Sequence, residues 1–298
     1  MSADHSIGEM APRSEAPARD CPADPLTASV VRLVLHFGPD DRAVATGFLV
    51  AGRTGRFVAT AFHNLSGGVS PYRRFALLEP PRPLEVEVWQ GGDLIARFPT
   101  YAGGRSLFRV HRDPVMRAQC DIAAIDYGLL EANRAGGRLP DAFLATPGVN
   151  EPRTGPVYGR VRDMFLPAGR DVLVPGYPGG RDYAGRPIAV CCKIAAEPDD
   201  AMPFMLLSGP TSSGCSGAPV VARQCLLPEG GGYFPAGAAA PARLPGDIRV
   251  IDQWLGLYSG RLTSVGHDGD RLPAVTQIGV AWTITLVRAT GDDGVPDA

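Results

Sequence analysis

The sequence predicts an all-β protein made of two packed barrels or sandwiches, and three observations carry that expectation. Short runs rich in β-branched and apolar residues fall into two groups. A polar, Gly- and Pro-bearing stretch near residues 129 to 156 separates them, and no long amphipathic helix interrupts either group. The 37 Gly and 29 Pro provide the dense punctuation that many short strands joined by turns require. With 298 residues, 45% of them hydrophobic, the chain is long enough to bury a sizeable core.

The elements follow in order. Residues 1–26 are polar and proline-bearing and read as a disordered leader. Strands are expected at Ser29 to Phe37, Ala45 to Val50 and Phe57 to Thr60. Leu84 to Gln90 alternates, with Leu84, Val86 and Val88 on one face and two Glu on the other. A Gly-Gly-Asp turn leads to its hairpin partner, Leu94 to Phe98, and Cys120 to Tyr127 closes the first group. The second group comprises Val172 to Gly176, Ile188 to Ala195, Phe204 to Ser208, Ala218 to Ala222, Ile251 to Ser259 and Val275 to Trp282. Thr283 to Arg288 reads as a short terminal helix, and residues 291–298 as a frayed tail. The expected boundaries are therefore a first half at 27–135, a linker at 136–156 and a second half at 157–290.

Composition narrows the function classes. A formal net charge of -2 offers no basic excess for nucleic acid or anionic membranes. No stretch reaches transmembrane length, and Met1 to Asp24 lacks an apolar signal core, so a cytoplasmic location is expected. The six cysteines show no framework spacing and no CxxC pair, so they read as free thiols, with neither a metal site nor a cofactor expected.

Chemistry concentrates in Ser212 to Val221, SSGCSGAPVV. Glycines flanking a serine allow a tight turn whose N–H groups face a developing oxyanion; here those of Gly214 and Ser216 form the candidate hole while the Ser216 hydroxyl attacks. The plain alternative is a Gly/Ser-rich turn between strands. A serine nucleophile needs a base. Of five histidines, His63 alone closes an apolar strand, FVATAFHNL; His5 lies in the leader, His36 inside a strand, and His111 and His267 in charged loops. The third member, a buried carboxylate that orients the imidazole, is Asp121 at the head of CDIAAI, with Asp126 as fallback. The order His, Asp, Ser differs from that of subtilisin and of the α/β-hydrolases.

FVATAFHNL resembles the TAAHC-type motif of trypsin-like peptidases, CDIAAI their DIA(L/V)L motif and GCSGAP their GDSGGP motif. The similarity spans roughly residues 27 to 288, and TGFLV, WLGLYSG and GVAW add weaker matches. The resemblance implies two six-stranded antiparallel β-barrels of the chymotrypsin type and a His63, Asp121, Ser216 triad. It also implies a substrate-binding strand at Tyr258, Ser259 and Gly260, with Pro210 where trypsin has its selecting Asp. Preference for Lys or Arg is therefore not implied. Cys215 replaces the Asp that answers a freed N-terminus in trypsin, so activation of that kind is not expected. The type resembled is a minimal bacterial peptidase like the HtrA catalytic domain without a PDZ domain. Viral relatives use cysteine as nucleophile, but at the position filled here by Ser216. The expected activity is serine endopeptidase action on a peptide or protein substrate. The alternative is a catalytically silent or partner-gated peptide-binding module, in which Cys215 and the insert from Leu227 to Pro245 would mark a repurposed site. Asn64-Leu65-Ser66 fits a glycosylation sequon and reads as accidental.

Overall fold

The computed structural model describes residues 25–67, 82–141, 144–145, 168–196, 203–226, 249–262 and 277–297. A one-turn helix, α1 (Pro25–Ala28), leads into β1 (Val30–His36), β2 (Arg42–Ala51) and β3 (Arg56–Thr60), and α2 (Phe62–Ser66) follows at once. β4 (Glu85–Gln90) and β5 (Asp93–Pro99) form the expected hairpin. Its turn places Gly91 and Gly92 both at positive φ, a conformation that matches strand twist and that other residues resist. Two-residue strands β6 (Tyr101–Ala102), β7 (Arg105–Ser106) and β8 (Arg109–Val110) precede α3 (Pro114–Gln119), β9 (Ala123–Asp126), α4 (Tyr127–Ala132) and β10 (Leu144–Ala145).

The second half contains β11 (Asp171–Gly176), β12 (Ile188–Ala196), β13 (Phe204–Ser208), β14 (Pro219–Leu226), β15 (Arg249–Arg261) and β16 (Ile278–Thr283). These six close into a barrel in the order β11-β12-β13-β16-β15-β14. Helix α5 (Ile284–Asp293) and strand β17 (Val295–Pro296) complete the described chain. Among the described residues, no helix is long and apolar enough to cross a membrane.

The first half is a nine-stranded half-barrel sheet, ordered β17-β8-β9-β3-β2-β1-β4-β5 with β10 added parallel to β2. With the closed barrel beside it, the fold is a chymotrypsin-like double β-barrel. The first half departs from the expected six strands because β8, β10 and β17 join them, β17 taking the outer edge of β8. The expected frayed tail is likewise replaced: α5 runs through Asp293 and β17 follows. Cys120 to Tyr127 is not one strand either, since the Asp126 side chain accepts from Gly128 N and starts α4 there. The Asp113-Pro114 pair starts α3 in the same way, with the Asp113 side chain capping Val115 N. The leader through Asp24, most of the linker and the insert from Leu227 to Pro245 lie outside the described residues.

Three apolar clusters follow from strand alternation. Val31, Leu33 and Leu35 of β1 meet Val86 and Val88 of β4 inside the first half. Val172, Val174, Met205, Val220 and Leu255 fill the barrel of the second. β2 is buried on both faces: Leu49 joins the first cluster, whereas Phe48 and Val50 join a third with Trp254, Leu257, Trp282 and Val287. That third cluster is the seam between the halves, and Phe48 meets Trp254 edge-on with ring centroids 5.3 Å apart.

Candidate active site

His63 lies in the first turn of α2, directly after β3. A helix start leaves backbone N–H groups unpaired, and Asp121 supplies the acceptor: His63 N donates to Asp121 Oδ1 at 2.8 Å. The same carboxylate receives the ring, with His63 Nδ1 and Asp121 Oδ2 2.7 Å apart. Ser259 Oγ donates a third hydrogen bond, to Asp121 Oδ2. Asp121 is completely buried between the end of α3 and β9, whereas the His63 side chain keeps 18% of its surface exposed. Burial presses the Asp121 carboxyl upward, but the His63 imidazole, its two hydrogen bonds and the Ser259 hydroxyl outweigh burial and hold it below its ordinary value.

The Ser216 turn is fastened from both halves. From the first, Thr46 N donates to Ser216 O at 3.0 Å, Thr46 Oγ1 to Gly214 O at 2.6 Å, and Asn64 Nδ2 to Ser216 O at 3.1 Å. From the second, Gly217 N donates to Tyr258 O at 2.7 Å and Tyr258 N to Ala218 O at 2.8 Å. Gly214 has φ +88°, and a Cβ there would stand 2.1 Å from Tyr177 O. Only glycine fits that close approach. Among the described residues, the N–H groups of Gly214 and Ser216 have no intramolecular acceptor, and the Ser216 hydroxyl makes no hydrogen bond to His63.

His63, Asp121, Ser216, Gly214, Ser259 and Gly260 thus gather at the seam, with a Cβ on Gly260 lying 3.8 Å from Ser216 Oγ. Two more residues expected to bind substrate lie beside the Ser216 turn. The Tyr258 ring is buried in the second barrel, its hydroxyl 2.6 Å from Thr211 Oγ1, and only its backbone serves the Ser216 turn. Pro210 is exposed on the loop leading to that turn. Ser259 faces Asp121. The fallback acid, Asp126, instead caps α4 and pairs with Arg109. His36 faces Glu87 in the first sheet, and His111 Nδ1 accepts from Asp113 N, so both are engaged away from Ser216. Cys215 is buried in the second barrel's core, where burial pushes its thiol up, unsuiting it as a nucleophile.

Sequence reading missed Thr46 and Asn64. Thr46 is a fully buried polar residue in an otherwise apolar stretch, which is the signal that marks it. Asn64 is buried with its amide engaged by Thr60 and Ser216, which removes the sequon from reach of a glycan.

Fold and site together define the double-barrel architecture with an acid, an imidazole and a serine turn at its seam. The Rv3671c protease from M. tuberculosis, in its active form, matches over 89% of this chain and 80% of its own, with 18% identity and a TM-score of 0.44. The serine endoprotease from Yersinia pestis matches over 88% of this chain and 60% of its own, with 13% identity and a TM-score of 0.43. No protein-family model and no curated protein sequence matches the chain.

Proposed function

We propose that this chain is a serine endopeptidase in which His63, Asp121 and Ser216 act as triad. The observation that carries the reading is the buried Asp121 carboxylate holding both the backbone and the ring of His63, on the wall facing the Ser216 turn. With an ionised acceptor at Nδ1, neutral His63 keeps its proton on that nitrogen and presents Nε2 as the base. Nε2 takes the Ser216 hydroxyl proton as Oγ attacks a peptide carbonyl. The free N–H groups of Gly214 and Ser216 receive the oxyanion. His63 then returns the proton to the leaving amine, and water repeats the sequence on the acyl-enzyme.

The test is a fluorophosphonate probe followed by peptide mapping, run beside digestion of a proteome-derived peptide library. The reading expects the label on Ser216 and cleavage that Ser216→Ala abolishes. A label on another residue, or cleavage untouched by Ser216→Ala, overturns it.

A further inference from the structure

At Arg261, the strand that flanks the nucleophile carries a cation with no carboxylate partner among the described residues. Arg261 ends β15, one residue beyond Gly260, and its Cα pairs in register with Gly279 of β16. A Cβ on Gly279 would strike the Tyr258 ring at 2.5 Å and the Tyr258 hydroxyl at 2.7 Å, so Tyr258 stands just behind the point where β15 and β16 face each other. Thr211, five residues before Ser216 and itself buried, holds that hydroxyl.

The Arg261 Nε is buried without a hydrogen-bond partner, and among the described residues no carboxylate pairs with its guanidinium. Elsewhere in the described residues Arg32 meets Asp182 and Arg223 meets Asp252. Burial pushes the Tyr258 hydroxyl up to about 12 and the Cys215 thiol upward, while Arg261 is among the groups pulling each back. An arginine partly withdrawn from water costs stability until an anion satisfies its planar donors.

We infer that Arg261 receives an acidic side chain of the substrate, on the residue whose carbonyl Ser216 attacks, at the point where β15 and β16 face each other over the buried Tyr258 ring. This rests on the reading of Ser216 as nucleophile, because it places the anion one residue from the bond that breaks. Aspartate supplies the anion that the guanidinium lacks. A lysine side chain entering the same space meets a like charge.

Peptides ending in Asp, Ala or Lys are titrated calorimetrically against Ser216→Ala; all three share the terminal carboxylate, so differences report the last side chain. The Asp peptide is expected to bind at least tenfold tighter than the other two, equivalent to about 1.4 kcal/mol. That advantage disappears in Ser216→Ala/Arg261→Ala and turns toward Lys in Ser216→Ala/Arg261→Glu. Circular dichroism checks each variant's fold, and Arg261→Lys, which retains the charge, keeps part of the preference. Equal weakening of all three peptides, equal binding of all three, or no binding overturns the inference. If the probe labels Ser216 and the library is cut without regard to acidic residues, the inference falls and the peptidase reading stands. If Ser216 is unlabelled while Arg261-dependent Asp binding persists, the anion subsite stands and the peptidase reading falls.

Discussion

Replacing Ser259 by alanine removes one of three hydrogen bonds to a fully buried carboxylate while leaving the other two, both from His63, in place. A hydrogen bond to a charged group contributes about 1.5–3 kcal/mol, and deleting a single hydroxyl oxygen leaves little cavity, so the loss should be of that size. Asp121 titrates below its ordinary value in the folded chain. Its stabilisation is therefore complete above the unfolded value of about 3.9 and is lost as pH falls through the folded value. Ser259→Ala takes away one of the interactions that depress this pKa, so the variant's acid loss begins at higher pH. Once the carboxyl is protonated, the Ser259 bond drops toward the worth of a neutral one, about 1 kcal/mol. Urea melts followed by fluorescence of the buried Trp254 and Trp282, repeated from neutral pH down to about pH 3, read both effects. A neutral-pH difference under about 0.5 kcal/mol, the range of an ordinary surface change, would refute the reasoning. So would a difference that stays constant into acid.

Gly214→Ala forces a side chain onto Tyr177 O and should turn the Gly214 N–H away, lowering peptidase turnover by about 10²–10³; a variant of unchanged turnover would sink the oxyanion assignment. Phe48→Ala empties the seam beside Trp254 and should cost about 3–5 kcal/mol, read from the urea midpoint at constant m. Brief alkylation near neutral pH should modify the exposed Cys191 and spare Cys120 and Cys192, whose thiols burial pushes up to about 12, together with buried Cys215. Peptide mass spectrometry checks this, and prompt labelling of Cys215 would contradict its place in the core.

Much of the frame was legible because strand alternation is a local property. Val86 and Val88 announce the inward face of β4, and the Gly91-Gly92 turn announces its hairpin. The apolar approach to His63 and the acid heading CDIAAI were legible for the same reason: each stands where polarity is unexpected. Roles set by tertiary contact were not. Nothing local distinguishes Ser259 as the third donor to Asp121, because the two meet only when β15 crosses the seam. The resemblance of WLGLYSG sets Tyr258 at the substrate, and only the folded chain shows its ring buried in the barrel behind Gly279. The two-residue strands β6, β7 and β8 are too short for any period to register, and β17 is a strand only because β8 offers it an edge.

That last pairing bears on the order in which the molecule is made. Strand β8 enters the chain early, and its outer neighbour comes from the far end, with Val295 opposite Val110. During synthesis the edge of the first half therefore waits for the whole second half to emerge. Contacts this distant along a chain form slowly. His63 and Asp121 come from the early part, Ser216 and Ser259 from the later one, and β17 follows all four. A nascent chain therefore carries the acid and the imidazole before the serine turn that meets them at the seam has been made.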